Sequence, residues 1–278
     1  MWGTRDLLAR FGGQSPLPAD SRHFYQIEQI KRVRVVRRAD GYYVQFCVDV
    51  ERREKHEYQN KVVGLDVGVN HFYTDSDGNT VDNPRYLRKG EKSLKRSQRR
   101  LSRKKKGSNN RVKARNKVGR KHLKVSRQRK DFAVKTARCV VQSNDLVAYE
   151  DLKVRNMVKN HHLAKSISDA SWSQFREWVE YFGRVFGVGT IAVPPHYTSQ
   201  ECSSCGVMVK KSLSTRTHTC ACGTALDRDH NAALNILRIG LSTVGHTGTQ
   251  DASGDIDLCV GEETPPSKSG RRKRKTQK

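Results

Sequence analysis

The sequence predicts an α/β fold with two additions, a basic helical hairpin and a cysteine cluster at metal-ligand spacing. Strand-like apolar stretches at 62–74, 146–150 and 187–193 alternate with longer stretches whose apolar residues recur with helical period. A hairpin-like segment at 29–50 precedes them. We therefore expect the element order strand, strand, strand, helix, strand, helix, strand, helix, with the hairpin before it.

The charge composition predicts a polyanionic partner. The 278 residues include 54 Lys and Arg against 28 Asp and Glu, a formal charge of +26, and a field of this size attracts nucleic acid. Segment 85–130 holds 22 of the basic residues and one acid, Glu91, while 268–278 holds seven basic residues and no acid. The apolar content of 35% is low for a compact globule, so part of the chain should lie outside any core.

Cysteine usage and the lack of long apolar runs predict the cellular compartment of the protein. The sequence has no run of about 18 apolar residues, and its first residues lack the apolar core of a secretory signal. Seven cysteines, four of them clustered, favour a reducing compartment and a metal over a disulfide framework. Cys47 and Cys139 fall on apolar faces of a strand and a helix, where burial is expected. The expected location is the cytosol.

Two turns define the strand-rich segments. In 29–50, polar and apolar residues alternate around Asp40-Gly41, a pair that favours a tight hairpin turn. The second segment begins with a buried strand at 62–66, continues through 70–74 and turns at Asp77-Gly78-Asn79. Each segment is therefore predicted to form antiparallel strands.

The basic segment is predicted to form two long antiparallel helices. Leu87, Leu94 and Leu101 recur every seven residues, and a second helical pattern covers 118–141, beyond a break at 107–110. A solvated cationic face is the alternative, but self-repulsion would destabilise such helices unless a polyanion binds them, so we expect contacts to phosphates. The residues predicted to bind nucleic acid are Arg96, Arg99, Arg100, Arg103, Lys104, Lys105, Arg120, Lys121, Lys124 and Arg127.

Four elements complete the predicted order. A short buried strand covers 146–150, and a second strand covers 187–193. A helix is predicted between these two strands. Ser171, with Gln174 three residues later, has the pattern of a capping box at the start of that helix. An alanine-rich helix is predicted at 231–239.

Four clustered cysteines predict a structural zinc ribbon. Cys202 and Cys205 form one knuckle, and Cys220 and Cys222 form the other; thiolates suit tetrahedral zinc. The second knuckle is one residue shorter than the usual Cys-x-x-Cys, so His218 could replace one thiolate. Four protein ligands leave no open position, so the zinc should be structural.

Three acids stand at the ends of predicted elements. Asp66 ends the first strand of the 62–74 segment, Glu150 ends the next predicted strand, and Asp229 stands at the start of the last helix. With acids at these places, the element order is that of a ribonuclease H-like fold, where carboxylates converge on two Mg²⁺ ions. Solvated acids are the alternative, because strand ends and helix N-termini often carry them. Asp227 is a second choice for the third acid, or a helix cap.

Several separate motifs carry a resemblance to a known family. They are Gly64-Leu65-Asp66-Val67-Gly68, Glu150-Asp151-Leu152, Ser168-Asp169-Ala170-Ser171-Trp172, Tyr197-Thr198-Ser199-Gln200-Glu201-Cys202-Ser203-Ser204-Cys205-Gly206 and Asp227-Arg228-Asp229-His230-Asn231-Ala232-Ala233-Leu234-Asn235-Ile236. Over roughly 29–237 the chain resembles the TnpB (OrfB) proteins of insertion sequences, long labelled transposases and related to type V CRISPR effector nucleases. The resemblance implies a RuvC-like, Mg²⁺-dependent nuclease that uses a guide RNA from the element's own end to cut double-stranded DNA. Its catalytic, Mg²⁺-holding acids would be Asp66, Glu150 and Asp229.

The resemblance also divides the chain into expected parts. These are a partial β-barrel (wedge) segment at 1–58, a nuclease domain at 59–239 with a helical insertion at 85–144 and a zinc ribbon at 196–226, and a disordered basic tail at 240–278. Family members carry a longer N-terminal part with a helical module, so the guide-binding surface is expected to be incomplete in this sequence. Two alternatives stay open: an inactive remnant or nucleic-acid-binding regulator, and a strand-joining transposase.

Overall fold

The computed structural model of the protein describes residues 27–212 and 215–245. The first 26 residues and the predicted basic tail beyond residue 245 fall outside this range. The described chain divides into two compact units, one formed by 27–53 with Lys89–Arg127 and the other by Glu54–Arg88 with the residues from Gln128 onward. None of the helices in the described ranges combines the length and apolar character that crossing a membrane requires.

The first unit contains the predicted N-terminal hairpin. Strands β1 (Ile30–Arg38) and β2 (Gly41–Val48) pair antiparallel. Because Arg38 pairs with Gly41, the two-residue loop is Ala39-Asp40, one residue earlier than the Asp-Gly pattern indicates. The side chains of one hairpin face stay exposed, at 46% for Val33, 49% for Val35, 44% for Val44 and 52% for Phe46.

Two long helices follow, as predicted. They are α1 (Tyr86–Ser102) and α2 (Asn109–Gln142), and their residues are shared between the two units. Within the first unit the helices contact each other, since Lys121 Nζ donates to Ser93 O at 2.8 Å. The hairpin contacts α2 in the same unit, because the Arg127 guanidinium donates to Asp40 Oδ2 at 2.7 Å and to Tyr43 OH at 2.6 Å.

The second unit is built on a mixed five-stranded sheet with the order β5-β4-β3-β6-β7. Its strands are β3 (Val62–Val67), β4 (His71–Asp75), β5 (Thr80–Asp82), β6 (Leu146–Glu150) and β7 (Gly189–Val193). Strands β3, β4 and β5 are antiparallel neighbours, whereas β3, β6 and β7 run parallel. This arrangement confirms the predicted α/β class.

Helices cover both faces of this sheet. They are α3 (Val154–Met157), α4 (Ala164–Ala170), α5 (Trp172–Phe186) and α6 (Arg228–Gly245). Alternate residues of β6 enter two separate apolar clusters: Val147 packs with the larger one, and Ala148 with the one that contains Ile236 of α6. In the larger cluster, Phe72 is fully buried and meets Phe132 and Phe175 edge to face, at centroid distances of 4.8 and 5.0 Å. A strand buried on both faces explains the continuous apolar run of β6.

The predicted capping box at Ser171 is wrong. Ser171 adopts a left-handed conformation with φ 59° and makes no side-chain cap bond, whereas a helix cap needs an extended backbone. The residue joins the end of α4 to the start of α5, and its hydroxyl donates to Ser168 O at 3.3 Å. The predicted helix after it is nevertheless present.

Two predictions about burial and length also need correction. Cys47 and Cys139 are exposed, not buried. Cys47 lies on the exposed hairpin, and Cys139 faces solvent while the next two residues of α2 enter the core. The last helix continues beyond Ile239 to Gly245, so the predicted tail boundary at residue 240 falls inside a helix.

Gly64 allows β3 and α6 to touch backbone to backbone. A Cβ at this position would lie 2.3 Å from Ala233 O and 2.7 Å from Leu237 N. We expect Gly64→Ala to destabilise the protein by about 3 kcal/mol, because overpacking forces the helix away from the strand. Urea unfolding measures this, with Gly90→Ala as the control, since a Cβ there makes only an ordinary 3.6 Å contact. A Gly64→Ala variant as stable as the parent would contradict the close approach.

Candidate catalytic and metal-binding site

The three predicted acids lie at one end of the mixed sheet. Asp66 is on β3 and Glu150 is the last residue of β6, and these two strands are parallel neighbours with Leu65 paired to Tyr149. Asp229 is the second residue of α6, the helix packed against β3. All three belong to the second unit. Residues separated by long stretches of chain are thus brought together.

The surroundings of Asp66 disfavour its charged form. Burial raises the pKa of Asp66 well above its usual value, and the charges of Glu150 and Asp229 raise it further. Burial also raises the pKa of Glu150, while a hydrogen bond from Thr198 opposes this rise. Like charges gathered in a half-buried place disfavour ionisation unless a cation joins them.

Asp229 is held by arginines at the start of α6. Arg228 donates to Asp229 Oδ1 at 2.9 and 3.0 Å, and Arg216 Nη1 lies 3.4 Å from Oδ2. Asp227 has a different role. Its Oδ1 accepts hydrogen bonds from the backbone N–H groups of Asp229 at 2.8 Å and of His230 at 3.3 Å. Asp227 is thus the helix cap, and Asp229 is the carboxylate of α6 whose charge acts on Asp66.

Carboxylate oxygens are the hard ligands that Mg²⁺ prefers. Asp66, Glu150 and Asp229 supply such oxygens from three different elements. Burial first, and repulsion by the other two charges second, raise the pKa of Asp66, a condition that a bound divalent cation relieves. The donor set therefore fits Mg²⁺.

The four clustered cysteines form one sulfur-lined site. The Sγ atoms of Cys202, Cys205, Cys220 and Cys222 all lie within 4.8 Å of one another. The pairs Cys202–Cys222 and Cys205–Cys220 are 3.7 and 3.5 Å apart, close to the separation of about 3.8 Å that a tetrahedron with Zn–S bonds of about 2.3 Å requires. These residues fit zinc.

Each knuckle turns at a glycine, and the ribbon has its own small sheet. Gly206 and Gly223 adopt φ values of 76° and 92°, a region that glycine enters without steric cost. Strands β8 (Thr217–Thr219) and β9 (Ala225–Asp227) pair antiparallel and lead directly into α6. The shortened second knuckle therefore still directs both sulfurs to one site.

His218 lies beside the cysteines but does not belong to the four-sulfur group. It is fully buried, its Nδ1 contacts Lys211 Nζ, and its side chain lies beside the Cys202 thiol. Because four sulfurs already complete a tetrahedral set, the geometry assigns no ligand role to His218.

Two carboxamides outside the predicted site join the ribbon to α6. Asn231 and Asn235 are fully buried on this helix. Asn231 accepts from Ser203 N at 3.0 Å and donates to Glu201 O at 2.8 Å, while Asn235 donates to Glu201 O at 2.7 Å. The sequence signal that could have found them is a pair of asparagines, four residues apart, in an otherwise apolar helix face.

The residues predicted to bind nucleic acid are distributed over α1, α2 and their connection. Part of α2 lines an open groove of about 640 Å³ whose residues are Lys113, Asn116, Lys117, Arg120, Lys121 and Lys124. The groove includes three of the predicted residues and adds Lys113 and Lys117, which lie outside the predicted set. Arg120 also donates to Ala39 O at 3.2 Å, and Arg127 is ion-paired with Asp40, so Arg127 is less free to meet a phosphate.

Two family models match parts of this chain. Residues 45–161 match the OrfB_IS605 family model, described as a probable transposase, and residues 172–236 match the TNB domain of Cas12f1-like proteins. A Streptomyces pristinaespiralis protein named "Putative RNA-guided DNA endonuclease" is 42% identical over 65% of this chain and 45% of its own length. An Escherichia coli K12 protein named "Putative RNA-guided DNA endonuclease InsQ" is 34% identical over 76% of this chain and 57% of its own length.

The chain thus spans about half the length of these curated relatives. Among solved structures, a Cas12f1–sgRNA–target DNA complex matches with a TM-score of 0.47 at 18% identity, over 74% of this chain and 55% of that one. A TnpB-like protein of Methanocaldococcus jannaschii is 28% identical over 41% of this chain and 55% of its own length. The family models and the named relatives confirm that this chain is related to the TnpB (OrfB) proteins of insertion sequences.

Proposed function

We propose that this protein is an RNA-guided DNA endonuclease of a mobile element, the activity that the names of its relatives state of them. One observation carries the proposal: Asp66, Glu150 and Asp229 converge at one end of the sheet, where burial and mutual charge raise the pKa of Asp66. Groups with strongly shifted pKa values cluster at functional sites.

Each residue of the site would have its own role in phosphodiester hydrolysis. Two Mg²⁺ ions, when bound, would supply an activated water and stabilise the leaving oxygen. Asp66 and Glu150 would hold the ions from neighbouring strands, and Asp229 would complete the site from α6. Arg216 and Arg228 contact Asp229 and so balance its negative charge when no cation is present.

The basic helices suit a protein whose sequence choice comes from base pairing. Lys and Arg contact phosphates without reading bases, so they hold a guide RNA or a target strand irrespective of sequence. The groove on α2 concentrates such cations in the first unit. We assign guide RNA and double-stranded DNA as the partners, Mg²⁺ as the catalytic metal and Zn²⁺ as the structural metal.

Copurified RNA provides the direct test of this function. The protein is purified, its bound RNA is sequenced, and plasmid DNA that carries the matching sequence is added with Mg²⁺. We expect a double-strand cut in the matching plasmid and none in a plasmid with a scrambled target. Absence of RNA, or of cutting, would favour a remnant or regulator, and joined strands among the products would favour a transposase.

Neutralising two groove lysines should weaken nucleic-acid binding uniformly. Lys117→Gln combined with Lys124→Gln removes two exposed charges from the groove. The slope of log affinity against log salt should fall by about 0.7–0.9 for each phosphate that the variant no longer neutralises, as fluorescence anisotropy at several salt concentrations measures. Lys135→Gln is the matched control, because Lys135 lies on the same helix but pairs with Asp131 at 2.9 Å. An unchanged slope in the double variant would contradict the groove assignment.

A further inference from the structure

Thr198 is a buried hydroxyl residue that contacts one of the three acids. It lies in the segment between β7 and the first zinc knuckle and is 5% exposed. Its Oγ1 donates to Glu150 Oε1 at 2.5 Å. Within the described residues, this is the one side-chain hydrogen bond that the Glu150 carboxylate accepts, so the hydroxyl sets the direction in which that carboxylate points.

The backbone of Thr198 is itself held by α6. Asn235, fully buried, uses its Nδ2 to donate to Thr198 O at 2.8 Å and to Glu201 O at 2.7 Å. The preceding residue, Tyr197, has a left-handed φ of 61°, which a non-glycine residue keeps only when its surroundings enforce it. The turn that presents Thr198 is therefore specified by α6, the helix that also carries Asp229.

A neutral hydroxyl suits this place better than a charged donor. It can orient a carboxylate and leave the negative charge of Glu150 available to a cation, whereas a Lys or Arg would compete with the cation for it. Partners that orient metal-binding carboxylates are a general requirement of metal sites.

We propose that Thr198 is a positioning residue, which orients Glu150 for cation binding and, through Asn235, links that orientation to α6 and the first zinc knuckle. The proposal rests on the proposed nuclease function for its catalytic meaning. Its physical content, the orientation of Glu150, can be measured without any cleavage.

Two substitutions separate orientation from mere packing. Thr198→Val keeps the shape of the side chain and removes the hydroxyl, while Thr198→Ser keeps the hydroxyl and removes a methyl group. Thr217→Val, at an exposed residue of β8, is the matched control. Thermal unfolding and zinc content are measured for every variant, and Thr198→Ala replaces Thr198→Val if the latter fails to fold.

The readouts are Mn²⁺ binding by calorimetry and, for cleavage, the Mg²⁺ concentration at half-maximal rate. We expect Thr198→Val to weaken cation binding about 10- to 100-fold, the usual effect of removing a group that orients a metal ligand, and Thr198→Ser to stay near the parent. Equal cation affinity in the parent and Thr198→Val, or equal loss in Thr198→Val and Thr198→Ser, would overturn the proposal. A parent that binds Mn²⁺ with this pattern but cuts no DNA would reject the nuclease function and leave the role of Thr198 supported.

Discussion

Asp66→Asn is expected to lower DNA cleavage by about 10³-fold or more, equivalent to about 4 kcal/mol of transition-state stabilisation. The substitution keeps the shape of the side chain and removes the charge on which the other two acids act most strongly. Binding of RNA and DNA should stay unchanged, because the basic groove belongs to the first unit. Cleavage of guide-matched plasmid and anisotropy of labelled RNA measure the two effects separately.

The same substitution should not destabilise the cation-free protein. The pKa of Asp66 is raised in the folded state, so ionisation of this group costs stability as the pH rises above its unfolded pKa. In buffer without Mg²⁺ or Mn²⁺ and with the zinc site kept filled, Asp66→Asn should therefore melt at or above the temperature of the parent at neutral pH.

Asp82→Asn is the matched control, since this carboxylate lies on β5 of the same sheet with its side chain 97% exposed. It should cleave like the parent. Cleavage retained by Asp66→Asn, or lost equally in both variants, would refute the assignment of Asp66.

Loss of zinc is expected to have the second large effect. Structural zinc contributes about 10–16 kcal/mol in isolated zinc-finger peptides, and the ribbon here leads through β9 into the helix that carries Asp229. Cys205→Ser, or removal of zinc by a chelator, should release the first knuckle from Asn231 and lower cleavage by about tenfold or more, the usual effect of disturbing a supporting shell. Mass spectrometry measures the loss of zinc, limited proteolysis measures the release of the knuckle, and the cleavage rate measures the effect on activity.

Cys139→Ser provides the control for thiol loss, because Cys139 is exposed on α2 and far from the ribbon in sequence. It should keep both zinc and cleavage. A protein fully stripped of zinc that cuts at the parent rate would reject the coupling between ribbon and site.

Local patterns were sufficient for the elements and for the metal-ligand candidates. The predicted strand regions contain β1 to β7, although 62–74 is not one continuous strand but the two antiparallel strands β3 and β4, and the basic segment appears as α1 and α2. Four cysteines meet within 4.8 Å of one another, as their ligand-like spacing predicts. Asp66 and Glu150 lie at ends of neighbouring parallel strands, a consequence of element order alone.

Local patterns failed where one residue served two elements or where burial depended on a distant surface. Ser171 has the residue type and spacing of a helix cap, but it also ends α4, and the left-handed backbone of that junction excludes the capping geometry. Cys47 lies in an apolar pattern, yet it is exposed on its hairpin. Periodicity shows which residues share a face, but not whether anything covers it.

The sequence by itself determined the order of the elements and the cysteine set, because each depends on residues close together in the chain, and the three candidate acids followed from that order and from the family motifs. Only the tertiary structure decided which side chains hold those groups in place. Thr198 reaches Glu150 across 48 residues of sequence, and Asn231 reaches Glu201 across 30. Such partners follow from packing α6 against β3, which no local pattern encodes, since the hydrogen bonds exist only once distant backbones meet.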